Sequence, residues 1–251
     1  MVEKADILFS MPSPRDVTEA EYRLAEAKMD VVDVFARISG RGVFVADLFH
    51  NRFMYVSNSP LVLFGSPADE VKERGFQFLI ERTVPEDQPL IRELVEAVGN
   101  TSRWPWGDDR SVMAISCNFH FLLEGQPVLV NHRVTSLART EGGEVWQVLC
   151  LVSPSVHSDM GHIEATVGRQ EGFAVYEFDE GYWVEKNRLE LTEGERTMLY
   201  LSAHGYTMSQ IGEKMYRSVD TVKMYRKSVF KKLGVSNISE AIAYALNYNL
   251  L

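Results

Sequence analysis

From Met113 to Leu123 apolar and polar residues alternate. Met113, Ile115, Cys117, Phe119, Phe121 and Leu123 fall on one side of an extended chain, with Ser116, Asn118 and His120 on the other. A period of two belongs to a strand with one buried face. PVLVNHRVTSLART repeats it, with Val128, Val130, His132 and Val134 sharing a face, and EVWQVLCLVS follows, ending at Pro154. Turn residues at Gly125 and at Glu141-Gly142-Gly143 make these three antiparallel neighbours. Upstream, GVFVADLFHNRFMYVS predicts two strands around a His50-Asn51 turn. Between the two groups, residues 58–99 predict broken helices. They start at Ser66-Pro67-Ala68-Asp69 and Pro85-Glu86-Asp87, where Pro is early and acids occupy the first turn, and stop at Gly99-Asn100.

The period lengthens at both ends. After the breaker PSPRD, Val17 to Ile38 predicts one helix, with Leu24, Ala27, Val31, Val34 and Ile38 spaced three and four apart in an apolar seam. Two heptads fit a helix packed on its own domain or one packed on a second copy. Gly40-Arg41-Gly42 ends it. At the other end, four short helices are predicted. Thr192 with Glu195 is a capping box for the first, and Gly205 closes it. Met208, Ile211 and Met215 mark the second, from about Thr207. Ser218 caps the third, whose inner stripe is Val222, Tyr225, Val229 and Leu233 before Gly234. The fourth covers about Ser239 to Asn249. FAVYEF and YWVEK form a hairpin inside the segment joining sheet and helices.

This pattern divides 251 residues into an N-terminal helix (1–40), a five-stranded antiparallel sheet with short helices (41–155), a connecting hairpin or linker (156–187) and an all-α domain (188–251). The fold class is α+β followed by four helices.

Charge changes how the last segment is read. The chain as a whole carries −9, yet residues 188–251 hold nine Lys or Arg against six Asp or Glu. Between Lys214 and Lys232, seven basic residues face one acid, Asp220. The third helix sets Thr221, Lys223, Met224, Lys227 and Lys231 opposite its apolar stripe. A cationic helix held across a tight turn suits the DNA major groove, which admits one helix. Ser218, Thr221 and nearby amides are placed to donate to phosphates.

The same stretch resembles the LuxR-type (GerE-like) helix-turn-helix family. Leu191-Thr192 with Glu195 matches its opening. Gly205-Tyr206-Thr207 with Ile211-Gly212 matches the entry to its second helix, with Thr for Ser and Gly for Ala. Ser218-Val219-Asp220-Thr221-Val222-Lys223 matches its recognition-helix start, and Lys232-Leu233-Gly234-Val235, Asn237 and Glu240-Ala241 complete it. Tyr225 replaces the usual His, and Met208-Ser209 replace Asn-Lys. The resemblance implies DNA contacts from Thr207, Ser218, Thr221, Lys223, Met224, Arg226, Lys227 and Lys231. It also implies a dimer contact through Ala241, Ile242 and Ala245. Residues 41–155 resemble a PAS domain, in element order and at Tyr55-Val56-Ser57-Asn58, Leu63-Phe64-Gly65 and Val84-Pro85-Glu86-Asp87. The whole is similar to PAS-plus-LuxR regulators of Bacteroides-type bacteria. It implies a cytoplasmic homodimeric transcription regulator that binds double-stranded DNA. An unidentified small-molecule ligand and RNA polymerase are further partners the resemblance allows.

Other chemistry is thinly represented. Cys117, Phe119 and His132 are the candidate ligand-facing residues of the sheet; His120 is a second strand histidine. Asp47, after GVFVA, is placed as a strand-end residue and not as a phosphoacceptor, because another strand follows. His157 and His162 have poor metal spacing, with no Cys near. Two cysteines give no disulfide framework. There is no Gly-rich phosphate loop, nucleophile elbow or catalytic triad, so neither an enzyme nor a cofactor is expected. No membrane partner is expected from the hydropathy pattern. The competing class is a sensor or adaptor whose C-terminal helices bind a protein.

Overall fold

The structure is a computed structural model that describes residues 17–91, 112–143, 145–167, 173–177, 180–186, 189–248 and 250–251. The expected helix stretch from residue 92 onward, with its stop at Gly99-Asn100, and the breaker before residue 17 lie outside the described residues. The chain divides into two compact units, Met1–Lys186 and Asn187–Leu251.

The first unit is α+β. Its elements are α1 (Glu19–Glu26), α2 (Met29–Ser39), β1 (Gly42–Asp47), β2 (Arg52–Val56), α3 (Pro60–Leu63), α4 (Ala68–Arg82), a 3-10 turn (Pro85–Asp87), β3 (Val112–Leu123), β4 (Gln126–Arg139), β5 (Val145–Pro154), β6 (Gly161–Val167), β7 (Phe173–Glu177) and β8 (Tyr182–Lys186). The strands form one antiparallel sheet in the order β2-β1-β5-β4-β3-β6-β7-β8. The first five strands make the expected PAS-like sheet. Cys117 pairs with His132, Phe119 with Val130 and Phe121 with Val128, so the alternating residues of β3 and β4 share one face. That face packs under α3 and α4 in a core of Phe44, Phe53, Val62, Phe64, Val71, Phe78, Phe121, Val130 and Val152.

β1 is buried at every position. Phe44 and Ala46 point to the α3–α4 side, while Val43 and Val45 meet Val32 and Ala36 of α2 on the other. A strand covered on both faces needs no polar alternation, which explains the continuous GVFVA run. Asp47 ends it. Its buried carboxylate accepts from the backbone N–H of Phe49 (3.0 Å) and His50 (3.1 Å), from Arg52 Nε (3.3 Å) and from the Tyr22 hydroxyl (2.8 Å). Asp47 therefore closes the β1–β2 turn and ties α1 to it. α4 is kinked at Gly75, which has φ +52; a Cβ there would sit 2.2 Å from the Asn51 carbonyl oxygen. Only glycine lets this helix lie against that turn.

Two expectations are corrected. The sheet has eight strands and not five: in the segment expected as a connecting hairpin or linker, Ile163 and Ala165 of β6 alternate into the core and β6 hydrogen-bonds to β3, with β7 and β8 added beyond. The single helix expected over 17–38 is two, with a turn at Ala27-Lys28. α1 is held through Tyr22, whose ring lies 4.9 Å from that of Trp146, and α2 through Val32 and Ala36. The turn lets each half reach its own anchor.

The second unit is all-α: α5 (Glu193–Ala203), α6 (Met208–Met215), α7 (Val219–Leu233) and α8 (Ile238–Asn247). Each helix has an N-cap side chain bonded to its first turn, from Thr192, Thr207, Ser218 and Asn237. The first two are reciprocal capping boxes, with Glu195 and Gln210. Each cap is worth about 1 kcal/mol, which matters for helices this short. Met198, Leu199, Ile211, Val222, Val229, Ala241 and Ala245 are fully buried and form the core. Among the described residues, no helix is long and apolar enough to cross a membrane.

Candidate nucleic-acid interface

The site is built by α6, the turn after it, and α7. Thr207 starts α6, and Tyr216 ends it in the left-handed region (φ 53, ψ 45). The Arg217 N–H returns to the Gly212 carbonyl (2.9 Å). A Cβ on Gly212 would lie 2.8 Å from the Arg217 carbonyl oxygen, so the glycine permits the tightness of the turn. Ser218 then caps α7, its Oγ accepting from the Thr221 N–H (3.2 Å) and meeting Thr221 Oγ1 at 2.9 Å. These two hydroxyls hold each other, and the Thr221 amide is taken up by the cap.

One face of α7 is sealed, with Val222, Val229 and Leu233 buried. Tyr225 is half-buried on the same side, and its ring fills the space above Gly194, where a Cβ would come within 2.7 Å. The departures Gly212 and Tyr225 thus each have a packing reason. The opposite face carries Lys223, Met224, Arg226, Lys227 and Lys231, all exposed, with Met224 at 71%. Lys223 Nζ rests on Asp220 Oδ1 at 3.0 Å, an exposed pair that costs little to break. Arg226 lies over the Phe230 ring at 5.1 Å.

α7 is fixed to α5 by a buried acid. Glu195 accepts from Lys232 Nζ (2.7 Å), Ser228 Oγ (2.6 Å) and the Thr192 N–H (2.8 Å). Burial pushes its carboxyl pKa up, but the bonds from Lys232, Ser228 and Thr192 outweigh that and hold it at about 2. It is therefore ionised at neutral pH. Lys232 is withdrawn from the outer face by this bond. Periodicity did not single out three neighbours of this surface: Lys214, placed 4.5 Å above the Tyr206 ring, Arg217, and Tyr216, which is 92% exposed. Their only sequence signal was the local excess of basic residues.

The expected dimer contact on α8 needs correction. Ala241 and Ala245 are fully buried, and α8 packs on α5 and α7 within its own unit; Ile242 is only half-buried. Small residues one turn apart let helices approach closely, which is what α8 uses them for. The exposed apolar residue of this helix is Leu246.

In the sheet unit, Cys117, Phe119 and His132 are brought together on the buried face. The His132 ring has Phe121, Phe44 and Phe119 at centroid distances of 5.1, 6.1 and 6.2 Å. Its Nε2 has no partner among the described residues. Burial lowers its pKa to about 4, so the imidazole is neutral, and burial raises that of the Cys117 thiol. His120 faces the other way, its Nδ1 3.0 Å from Asp87 Oδ2. His157 and His162 stack at 3.9 Å, but among the described residues no three His, Cys, Asp or Glu side chains gather as a metal ion would need.

Residues 189–245 match the family of bacterial regulatory proteins of the luxR type. The response regulator protein VraR of Staphylococcus aureus is 34% identical over 61 residues, which are 24% of this chain and 29% of VraR. The chain thus spans under a third of the length of the curated relatives it matches. Among solved structures, the response regulator ChrA of a heme-sensing two-component system is 32% identical over 26% of this chain and 33% of its own, with a TM-score of 0.25. A VqmA–ligand–DNA complex from Vibrio cholera aligns over 88% of both chains at 16% identity and a TM-score of 0.34. The capped helix pair and the match over residues 189–245 together identify the C-terminal unit as a LuxR-type helix-turn-helix domain, carried behind a PAS-like α+β unit.

Proposed function

We propose that the protein is a sequence-specific DNA-binding transcription regulator that acts as a homodimer and responds to a signal through its PAS-like unit. One observation carries the reading. α7 buries Val222, Val229 and Leu233 in its own domain and leaves Lys223, Met224, Arg226, Lys227 and Lys231 facing solvent behind a capped turn. That is a rigid cationic helix face, 15 residues long, of a size the major groove admits. The acidic remainder of the chain does not oppose this, because phosphate attraction depends on the surface that meets the duplex. Thr207 and Ser218 stand at the two helix starts beside this face and serve backbone positioning; Lys223, Met224 and Lys227 serve base readout. In a dimer, two such helices read half-sites about one helical turn apart.

The PAS-like unit supplies the signal. Cys117, Phe119 and His132 are the residues on which a small molecule would be read, with the His132 Nε2 as its polar anchor. No catalytic step is part of this function.

The test is selection of bound sequences from a random duplex pool by the full chain, followed by affinity measurement over a salt series. The affinity is expected to fall steeply with salt, each phosphate contact adding roughly 0.9 to the log–log slope. Lys223→Ala and Lys227→Ala are each expected to cost roughly 1–3 kcal/mol on the selected site. An absent or salt-insensitive shift, or full affinity in the double variant, overturns the reading in favour of a protein-binding adaptor.

A further inference from the structure

α1 and α2 use only part of their apolar surface. Val32 and Ala36 pack on β1. Across the helix from them, Val31, Val34 and Ile38 are 70%, 50% and 79% exposed, and Leu24 of α1 is 62% exposed. Val31, Val34 and Ile38 stand three and four residues apart in one row on α2, and Leu24 and the exposed Ala27 precede them across the turn between the two helices. Seven large apolar residues are exposed among the described residues before Lys186, and five of them, counting Phe35, lie on this stretch. Single exposed apolar residues are ordinary, whereas a row at heptad spacing is the form of a helix-packing seam.

We infer that this row is the face on which a second copy of the chain docks, with the two α2 helices antiparallel about a twofold axis. The inference rests on the homodimer of the proposed function and names its surface. A twofold contact must be complementary to itself, and the flanking charges meet that condition in one direction only. Asp30 and Arg37 lie on the same flank of the row, two helical turns apart. When Val31 packs against Val34 of the other copy, Asp30 of each helix comes beside Arg37 of the other, twice by symmetry. Packing in parallel sets Asp30 against Phe35 and Arg23 against Lys28, a like-charge pair. Arg37 is already held on this flank by Asp33 at 3.0 Å, an exposed pair that can be exchanged at little cost. The antiparallel register also brings Ile38 toward the turn that precedes α2 in the other copy.

Sedimentation equilibrium of the full chain tests this. The native sequence is expected to dimerise. Val31→Asp with Ile38→Asp, both solvent-facing, is expected to weaken the dimer at least ~100-fold with an unchanged thermal transition. Asp30→Arg is expected to weaken it roughly 5-fold, and adding Arg37→Asp to restore it. A dimer that survives the double aspartate variant overturns the surface and leaves the homodimer standing. A monomeric native chain overturns both, while the salt series on DNA judges the DNA-binding reading separately. Charge reversal that the second reversal fails to rescue overturns the antiparallel arrangement.

Discussion

Both units bury a bonded acid, Asp47 in the sheet unit and Glu195 in the helical unit, but among the described residues they differ in the buried polar atoms left without a partner. In the helical unit, Glu195 is buried and bonded to Lys232, Ser228 and the Thr192 amide. In the sheet unit, His132 Nε2, Asn118 Nδ2, Trp146 Nε1 and Gln147 Oε1 are buried without a partner among the described residues. A satisfied buried group fixes one geometry, and an unsatisfied one costs free energy until something completes it. Under the proposed function the contrast becomes a division of labour, with α7 set rigidly before DNA binding and the sheet retaining bonding capacity for water or a signal molecule.

Lys232→Met is the harshest test of that contrast. It strands the Glu195 carboxylate, and a loss of about 3 kcal/mol is expected in the helical unit, read by hydrogen exchange of residues 193–233 in the full chain. Unchanged protection would show that the ion pair does not fix α7.

The pH responses should separate next. The Glu195 pKa is lowered from 4.5 to about 2 in the fold, so its contribution is complete above 4.5 and is lost as pH falls toward 2. His132 and His157 are lowered from 6.5 to about 4, mainly by burial, so the unfolded chain takes up protons first and the sheet unit weakens as pH falls from 6.5 toward 4. All four tryptophans precede residue 187, so their fluorescence follows the sheet unit alone. It should respond to acid before the helical signal does; a single common transition would break the comparison.

Smaller effects sharpen it. Gly212→Ala should destabilise the helical unit by about 1–2 kcal/mol although alanine favours helices, because its Cβ meets the Arg217 carbonyl. A raised melting temperature would show that the turn has slack. His132→Leu should raise the melting temperature of the sheet unit slightly, by about 1 kcal/mol of stability, since it removes a buried unpaired nitrogen. A clear loss instead would mean the imidazole is bonded in solution.

Local patterns in the sequence announced local structure. The Thr192–Glu195 capping box, the stripe of α7 and the alternation of β3 are all short-range signals, and each is present. The other partners of Glu195 were hidden because Ser228 and Lys232 lie 33 and 37 residues away. β6 was hidden because Ile163 and Ala165 are too few to mark a period beside the polar His162 and Glu164. The seam of α1 and α2 was visible, but the face that packs on β1 was not: it is taken by Val32 and Ala36, which carry less apolar surface than the residues left outside. The contact through Ala241 and Ala245 came from the family resemblance, which does not reveal which side of this chain's own helix is covered.

Tyr22 has a kinetic consequence. Its hydroxyl binds Asp47, and its ring lies on Trp146, far along the chain. During synthesis α1 emerges before β5, and its docking site is complete only once β5 has been made and paired. Contacts of such sequence separation form late and slowly, whereas the four C-terminal helices close over short loops. The nascent chain therefore carries α1 without its Trp146 contact until β5 is in place.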